Sequence, residues 1–230
     1  MRSLRWMAAS TMFCASAAWA SAPVPDRPTR SRSARLVSSG SLEAELGAGW
    51  TDDGATVPLR VKGSNGRVEP RGTLDLGTMD SGAPGLSTGV KLGVVQDRTV
   101  QASGLVRSDI PLDGETWTGE LGGLLSLYKS GLEIRADVAL ALEGGGGIHS
   151  AGVPVSGLVG WGVSKRWAGF VDAGVTFYGG GTATAPLIVG GARWLPTDRL
   201  HGDLALGWDA ELGGPVAALG VATNFGRLRR

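Results

Sequence analysis

The sequence is poor in the residues that most enzyme and metal sites need. It has one cysteine, Cys14, and two histidines, His149 and His201, in 230 residues. A disulfide framework is therefore excluded, and two histidines so far apart make no metal-ligand cluster. Net charge is close to zero, at +1, so no global basic field is available for nucleic acid. No stretch approaches the ~18 uninterrupted apolar residues that argue for a spanning helix. Glycine, in contrast, is abundant, with 39 residues. Each interior glycine costs a helix roughly 1 kcal/mol relative to alanine, so the composition disfavours long helices and favours strands joined by tight turns.

The first residues read as a secretory signal. Arg2 and Arg5 are followed by the apolar, small-residue stretch from Met7 to Trp19, and Ala18-Trp19-Ala20 and Ala20-Ser21-Ala22 both fit a small-x-small cleavage site. Residues 1–22 are assigned to this signal, which contains Cys14, so the mature chain would carry no thiol. Residues 23–40 are rich in Pro, Ser and Arg, with Arg27, Arg30, Arg32 and Arg35, and read as a flexible arm. Three roles are open to it: a solvated linker, a periplasmic contact or a plug.

From Ser41 the hydropathy has period two. Leu132, Ile134, Ala136, Val138, Leu140 and Leu142 fall on one face, and Glu133, Arg135, Asp137 and Glu143 on the other. Alternate side chains of a strand point to opposite faces, so this is a strand with one oily and one charged side. The rule predicts about twelve strands, at 41–51, 55–62, 67–79, 85–96, 99–110, 115–128, 131–143, 152–163, 167–178, 183–195, 199–211 and 215–226. Pro58 interrupts the second. Most are about twice the usual five or six residues. A tilted strand needs ~9–11 residues to cross a bilayer, and this length separates the pattern from a soluble sandwich. The expected fold is all-β: a single antiparallel transmembrane β-barrel over residues 41–226, with a basic tail at 227–230. Short, charged turns alternate with longer, Gly-rich loops, the asymmetry of periplasmic turns and external loops.

Aromatics recur near the strand ends. Tyr128, Trp161, Trp167, Trp194 and Phe225 fall at the periplasmic ends, and Trp50, Trp117, Phe177, Tyr178 and Trp208 toward the outer ends. All are expected to sit at the membrane interfaces, where an amphipathic ring is favoured. The last strand places Ala217, Leu219, Val221, Thr223 and Phe225 on one face, similar to the terminal-strand signal of outer-membrane barrels. The expected partners are outer-membrane lipid, a small-molecule solute and the barrel-assembly machinery, with no nucleic acid.

Four stretches carry a family resemblance: Pro58-Leu59-Arg60 through Gly66-Arg67-Val68-Glu69; Gly85-Leu86-Ser87-Thr88-Gly89-Val90-Lys91; Val106 to Gly114; and the late hairpins Val163 to Asp172 and Leu195 to Asp203. Their order resembles the outer-membrane transporters grouped as the meta-pathway phenol-degradation family. That resemblance implies a barrel passing small hydrophobic or aromatic compounds.

The charged strand faces give the candidate site. Arg107, Asp109, Glu133, Arg135 and Asp137 are expected to form the constriction, or the centre of a charge network, in the lumen. Glu43, Glu45, Arg60, Lys91, Glu120, Asp172, Arg193, His201, Asp203 and Asp209 are expected to line the same wall. Such charges select solutes if the lumen is open, and form a structural network if it is closed. No catalytic residue is assigned: neither histidine has a serine nearby in a nucleophile motif. The Gly144–Gly147 run lacks the Lys-Ser/Thr of a phosphate loop. Neither a cofactor nor a metal is expected. The function expected is passage of small solutes across the outer membrane, with a non-conducting structural barrel or a lipid-modifying barrel enzyme as alternatives.

Overall fold

The computed structural model describes residues 32–51, 54–76, 84–112, 116–145, 147–179, 183–184, 186–210 and 213–227. The signal segment 1–22, the first part of the arm and residues 228–230 lie outside them.

The strands are β1 (Ser41–Thr51), β2 (Gly54–Thr56), β3 (Pro58–Ser64), β4 (Val68–Asp75), β5 (Gly85–Gln96), β6 (Val100–Pro111), β7 (Trp117–Lys129), β8 (Leu132–Gly144), β9 (Ile148–Gly162), β10 (Trp167–Tyr178), β11 (Leu187–Trp194), β12 (Leu200–Asp209) and β13 (Gly214–Arg227). Both β2 and β3 pair with β1, β2 along Gly49–Thr51 and β3 along Ser41–Leu46. They are one stave broken at Val57, just before the proline that cannot donate to the ladder. The chain therefore forms twelve staves in sequence order, and β13 pairs with β1 to close the ring. Closure is what lipid demands, because an unpaired backbone group in hydrocarbon costs several kcal/mol and a closed barrel has no edge.

Three strands have the bounds predicted from sequence, 41–51, 85–96 and 167–178. Others shift at the loop end: β9 begins at Ile148 rather than 152, and β4 ends at Asp75 rather than 79. The tight turns and both termini of the barrel lie at one end, which is the periplasmic end in barrels of this kind. The β7–β8 turn, for example, has only Ser130 and Gly131 between the paired Lys129 and Leu132, both at positive φ (50° and 81°). That is the backbone twist a two-residue hairpin needs.

The two faces of the wall are sorted as the period-two pattern requires. Outside, Leu121, Val106, Leu140, Val138, Leu204, Leu206 and Val221 are exposed, a surface suited to hydrocarbon rather than water. Trp167 and Trp194 pair across β10 and β11 at the periplasmic end and stack at 6.2 Å. Trp50, Trp161, Trp208 and Phe225 are also outward and exposed, and Trp117 faces outward on β7. Two tyrosines depart from the expected girdle. Tyr128 is on the inward parity of β7 with Leu124 and Ser126, and its hydroxyl is 3.4 Å from Ser33 Oγ. Tyr178 lines an internal cavity at the outer end. Both belong to the lumen.

Candidate functional site: the lumen and the segment inside it

The lumen face is made by Glu43 and Glu45 on β1, Lys62 on β3, Glu69 on β4, Lys91 on β5, Ser103 on β6, Ser126 on β7, Glu133, Arg135 and Asp137 on β8, Asp172 on β10, Arg193 on β11, and His201 and Asp203 on β12, all buried. In the periplasmic half these charges pair with one another, mostly along one strand or between neighbouring strands. Lys62 Nζ is 2.9 Å from Glu43 and also contacts Glu45. Arg60 reaches Glu45 at 3.4 Å, and Arg71 pairs with Glu69. Glu133 accepts from Arg135 Nε at 2.7 Å and from Arg193 Nη1 at 2.9 Å. The Arg193 guanidinium also lies 4.9 Å over the Phe170 ring. Phe170 packs with Leu158, Val189 and Ala205 in a buried apolar cluster on the β9–β12 side of the lumen. Burying so many charges is tolerable only because partners replace water; removing one member leaves the rest uncompensated, at about 3–5 kcal/mol.

Between the walls lies the chain itself. Ser41 N donates to Ser38 O at 3.0 Å, and Gly40 at φ 71° lets the backbone reverse at the periplasmic mouth. Residues 37 back to 32 therefore run up inside the barrel. Of the segment read from sequence as a flexible arm, Arg32, Ser33, Ala34, Leu36 and Val37 are buried. They are not a solvated linker.

Lumen side chains do for this backbone what a neighbouring strand or water would otherwise do. Ala34 N donates to Ser126 Oγ at 2.9 Å, Leu36 N to Gln96 Oε1 at 3.2 Å, and Val37 N to Glu69 Oε2 at 2.7 Å. Lys91 Nζ donates to the carbonyls of Ser33 (2.9 Å) and Arg35 (2.8 Å), and Ser103 Oγ to that of Ala34 (2.6 Å). A buried amide without such partners would cost roughly 1–3 kcal/mol. Ala34 packs on Leu105 and Leu124. Leu36 lies against Gly93, where an added Cβ would come within 2.8 Å of Leu36 Cδ1, so a side chain at this position of β5 would have to push Leu36 aside.

At the inner tip of the segment, Arg32 spans two carboxylates. Its Nε and Nη2 donate to Asp137 at 2.6 and 2.9 Å, and Nη1 donates to Glu120 at 2.7 Å with Nη2 also in contact. This is fork-type guanidinium recognition, used twice on one side chain.

The outer half is different. A cavity of about 420 Å³ is lined by Arg32, Arg60, Arg107, Glu120, Asp137, Glu143, Pro154 and Tyr178. A second, of about 380 Å³, shares Arg60, Arg107 and Thr118 with it and adds Asp75 and Asp109. Arg107 Nε donates to Asp109 at 2.8 Å and to Ser87 Oγ at 3.0 Å, with about a third of both charged side chains accessible.

The five residues expected to form one constriction all face the lumen, but they do not meet. Arg107 and Asp109 border the outer cavities, Glu133 and Arg135 belong to the buried inner network, and Asp137 holds Arg32. Glu43, Glu45, Lys91, Asp172, Arg193, His201 and Asp203 are buried inside the barrel, and Glu120 lines the outer cavity. His201 Nε2 stands 3.7 Å from Asp203, longer than a hydrogen bond. The His149 side chain lies outside the described structure. Among the described residues, no group of three or more His, Cys, Asp or Glu side chains could hold a metal, and no helix is long and apolar enough to cross a membrane. The residues missed from sequence were Arg32, the charged Lys62, Glu69 and Arg71, and the uncharged Gln96, Ser103 and Ser126. For those on strands before any bulge the one signal was polarity at inward positions; Gln96 follows the irregularity between Gly93 and Val95, and Arg32 lies on no strand.

No protein-family model and no curated protein matches the chain. Solved structures do. The NanC porin superposes with a TM-score of 0.65 at 10% identity, covering 79% of this chain and 98% of that one. The KdgM porin in complex with disordered oligogalacturonate gives 0.65 at 7% identity, over 80% and 99%. A further KdgM porin structure gives 0.62 at 7% identity, with the same coverage. The chain has the fold of an outer-membrane porin. At such low identity the likeness is one of architecture, and what distinguishes this porin fold is read from its own lumen.

Proposed function

We propose that this barrel is a channel for small solutes across the outer membrane, and that its own N-terminal segment holds the path shut at the periplasmic half. One observation carries the reading: residues 32–37 occupy the lumen through hydrogen bonds to wall side chains, below cavities of about 420 and 380 Å³. A segment held this way can leave as a unit and expose polar groups able to face water. Ala141, Pro154 and Tyr178 give the larger cavity one apolar wall, opposite Arg60 and Arg107, with Glu143 two residues beyond Ala141 on the same strand. That wall supports the aromatic solutes implied by the family resemblance, and the charges opposite support a polar or ionised end on such a solute.

Planar-bilayer recording tests this. The mature protein should conduct rarely, and a variant lacking residues 23–37 should show sustained steps. Silence from that variant, once it is folded and inserted, would overturn the channel reading. It would favour a non-conducting structural barrel, a reading supported by the apolar cluster around Phe170 and the ion pairs of Glu133.

A further inference from the structure

We infer that Glu120 and Asp137 form a binding site for a guanidinium group, and that Arg32 occupies it as a tethered ligand whose place a free guanidinium compound can take once the Arg32 side chain is removed. The two carboxylates project from adjacent strands, β7 and β8, whose rigid ladder pairs Gly122 with Ala139 between them. Their positions do not depend on the segment that carries Arg32. Together they accept from Nε, Nη1 and Nη2, so the site recognises the planar group as a whole and not only its charge. A compact ammonium or a metal cation would match two bidentate carboxylates less well.

The site is also reachable. Arg32, Glu120 and Asp137 all line the outer cavity of about 420 Å³, so the guanidinium forms part of its floor. Shortening Arg32 would leave a hole continuous with that cavity, lined by two carboxylates deprived of the cation they share. The rest of the segment keeps its own anchors on Lys91, Ser103 and Ser126. The inference rests on reading the lumen as a solute path, and it adds the chemistry of the solute: a guanidinium with an apolar or polar remainder that fits between Tyr178 and Arg107.

The test is calorimetric titration of methylguanidinium into refolded Arg32→Ala in detergent. A single saturable site is expected, weakened at least tenfold by adding Asp137→Asn, with no comparable binding by the unaltered protein, where Arg32 fills the site. Tetramethylammonium, a cation without N–H donors, should not bind. Where Arg32→Ala does not refold, Arg32→Gln serves with the same outcomes. Absence of saturable binding by a folded variant would overturn the proposal, as would equal binding of tetramethylammonium or equal binding by the unaltered protein. Binding in calorimetry with electrically silent bilayers would remove the channel and keep the site. Conduction without methylguanidinium binding would remove the site and keep the channel.

Discussion

The inner and outer halves of this lumen draw on the same residue types and use them in opposite ways. In the inner half Lys62 and Lys91 are 1% accessible and Glu133 is clamped by two arginines. In the outer half Arg107 and Asp109 pair with each other while about a third of each side chain stays accessible. Charge pairing is common to both, and only desolvation differs. A buried pair cannot exchange its partner for water without a penalty of several kcal/mol, whereas an exposed pair is worth about 0–1 kcal/mol and exchanges readily. The inner charges therefore hold a shape, and the outer ones remain free to meet a solute.

The sharpest way to break that contrast is Glu133→Gln. It leaves Arg135 and Arg193 facing each other without their shared anion, and we expect a loss of about 3–5 kcal/mol, read as a lower temperature for the heat-induced gel shift of the folded barrel. An unchanged transition would mean that water already reaches this network. Lys91→Met comes next. It strips two backbone carbonyls of the inserted segment of their donor, at roughly 2–4 kcal/mol in total. The segment should become accessible to protease in folded protein, and channel openings should become frequent. A third change tests packing alone. Gly93→Leu places a side chain where Leu36 lies, and should expel the segment at an overpacking cost of about 1–3 kcal/mol while leaving every charge in place. Continued protease resistance would show that β5 yields instead. The smallest effect belongs to Arg107→Ala, at less than about 1 kcal/mol in stability. Its signature should be a change in the anion-to-cation permeability ratio of the variant lacking residues 23–37. A stability loss as large as that of Glu133→Gln would erase the distinction between the two halves.

The barrel was legible because a wall with lipid on one side and charge on the other must alternate. Ser41–Thr51, Gly85–Gln96 and Trp167–Tyr178 carry that alternation over most of their length, and there the bounds read from sequence and structure coincide. The break before Pro58 was legible for a local reason, a missing donor. The two tyrosines were misplaced because nearness to a strand end was weighed above parity. Tyr128 shares its face with Ser126, a relation that the same period of two contains. The inserted segment could not be read in this way. Arg32–Val37 has no period, and its burial depends on Glu69, Lys91, Gln96, Ser103 and Ser126, which meet only once four strands, β4 to β7, are side by side. The lumen-facing charge list likewise left its residues ungrouped, since grouping depends on height along the barrel as well as on face.

The grip on Arg32 has a consequence for the order of assembly. Its two carboxylates lie 88 and 105 residues downstream, so closing those contacts requires β7 and β8 to have been laid down, although Arg32 leaves the ribosome long before them. Contacts of such long sequence separation form late, because the entropy of closing the loop must be met first. The segment adjoins β1, which is also one lip of the seam with β13. Docking of Arg32 therefore acts as a marker of progress: a sheet that stops short of β8 lacks the second carboxylate that holds it.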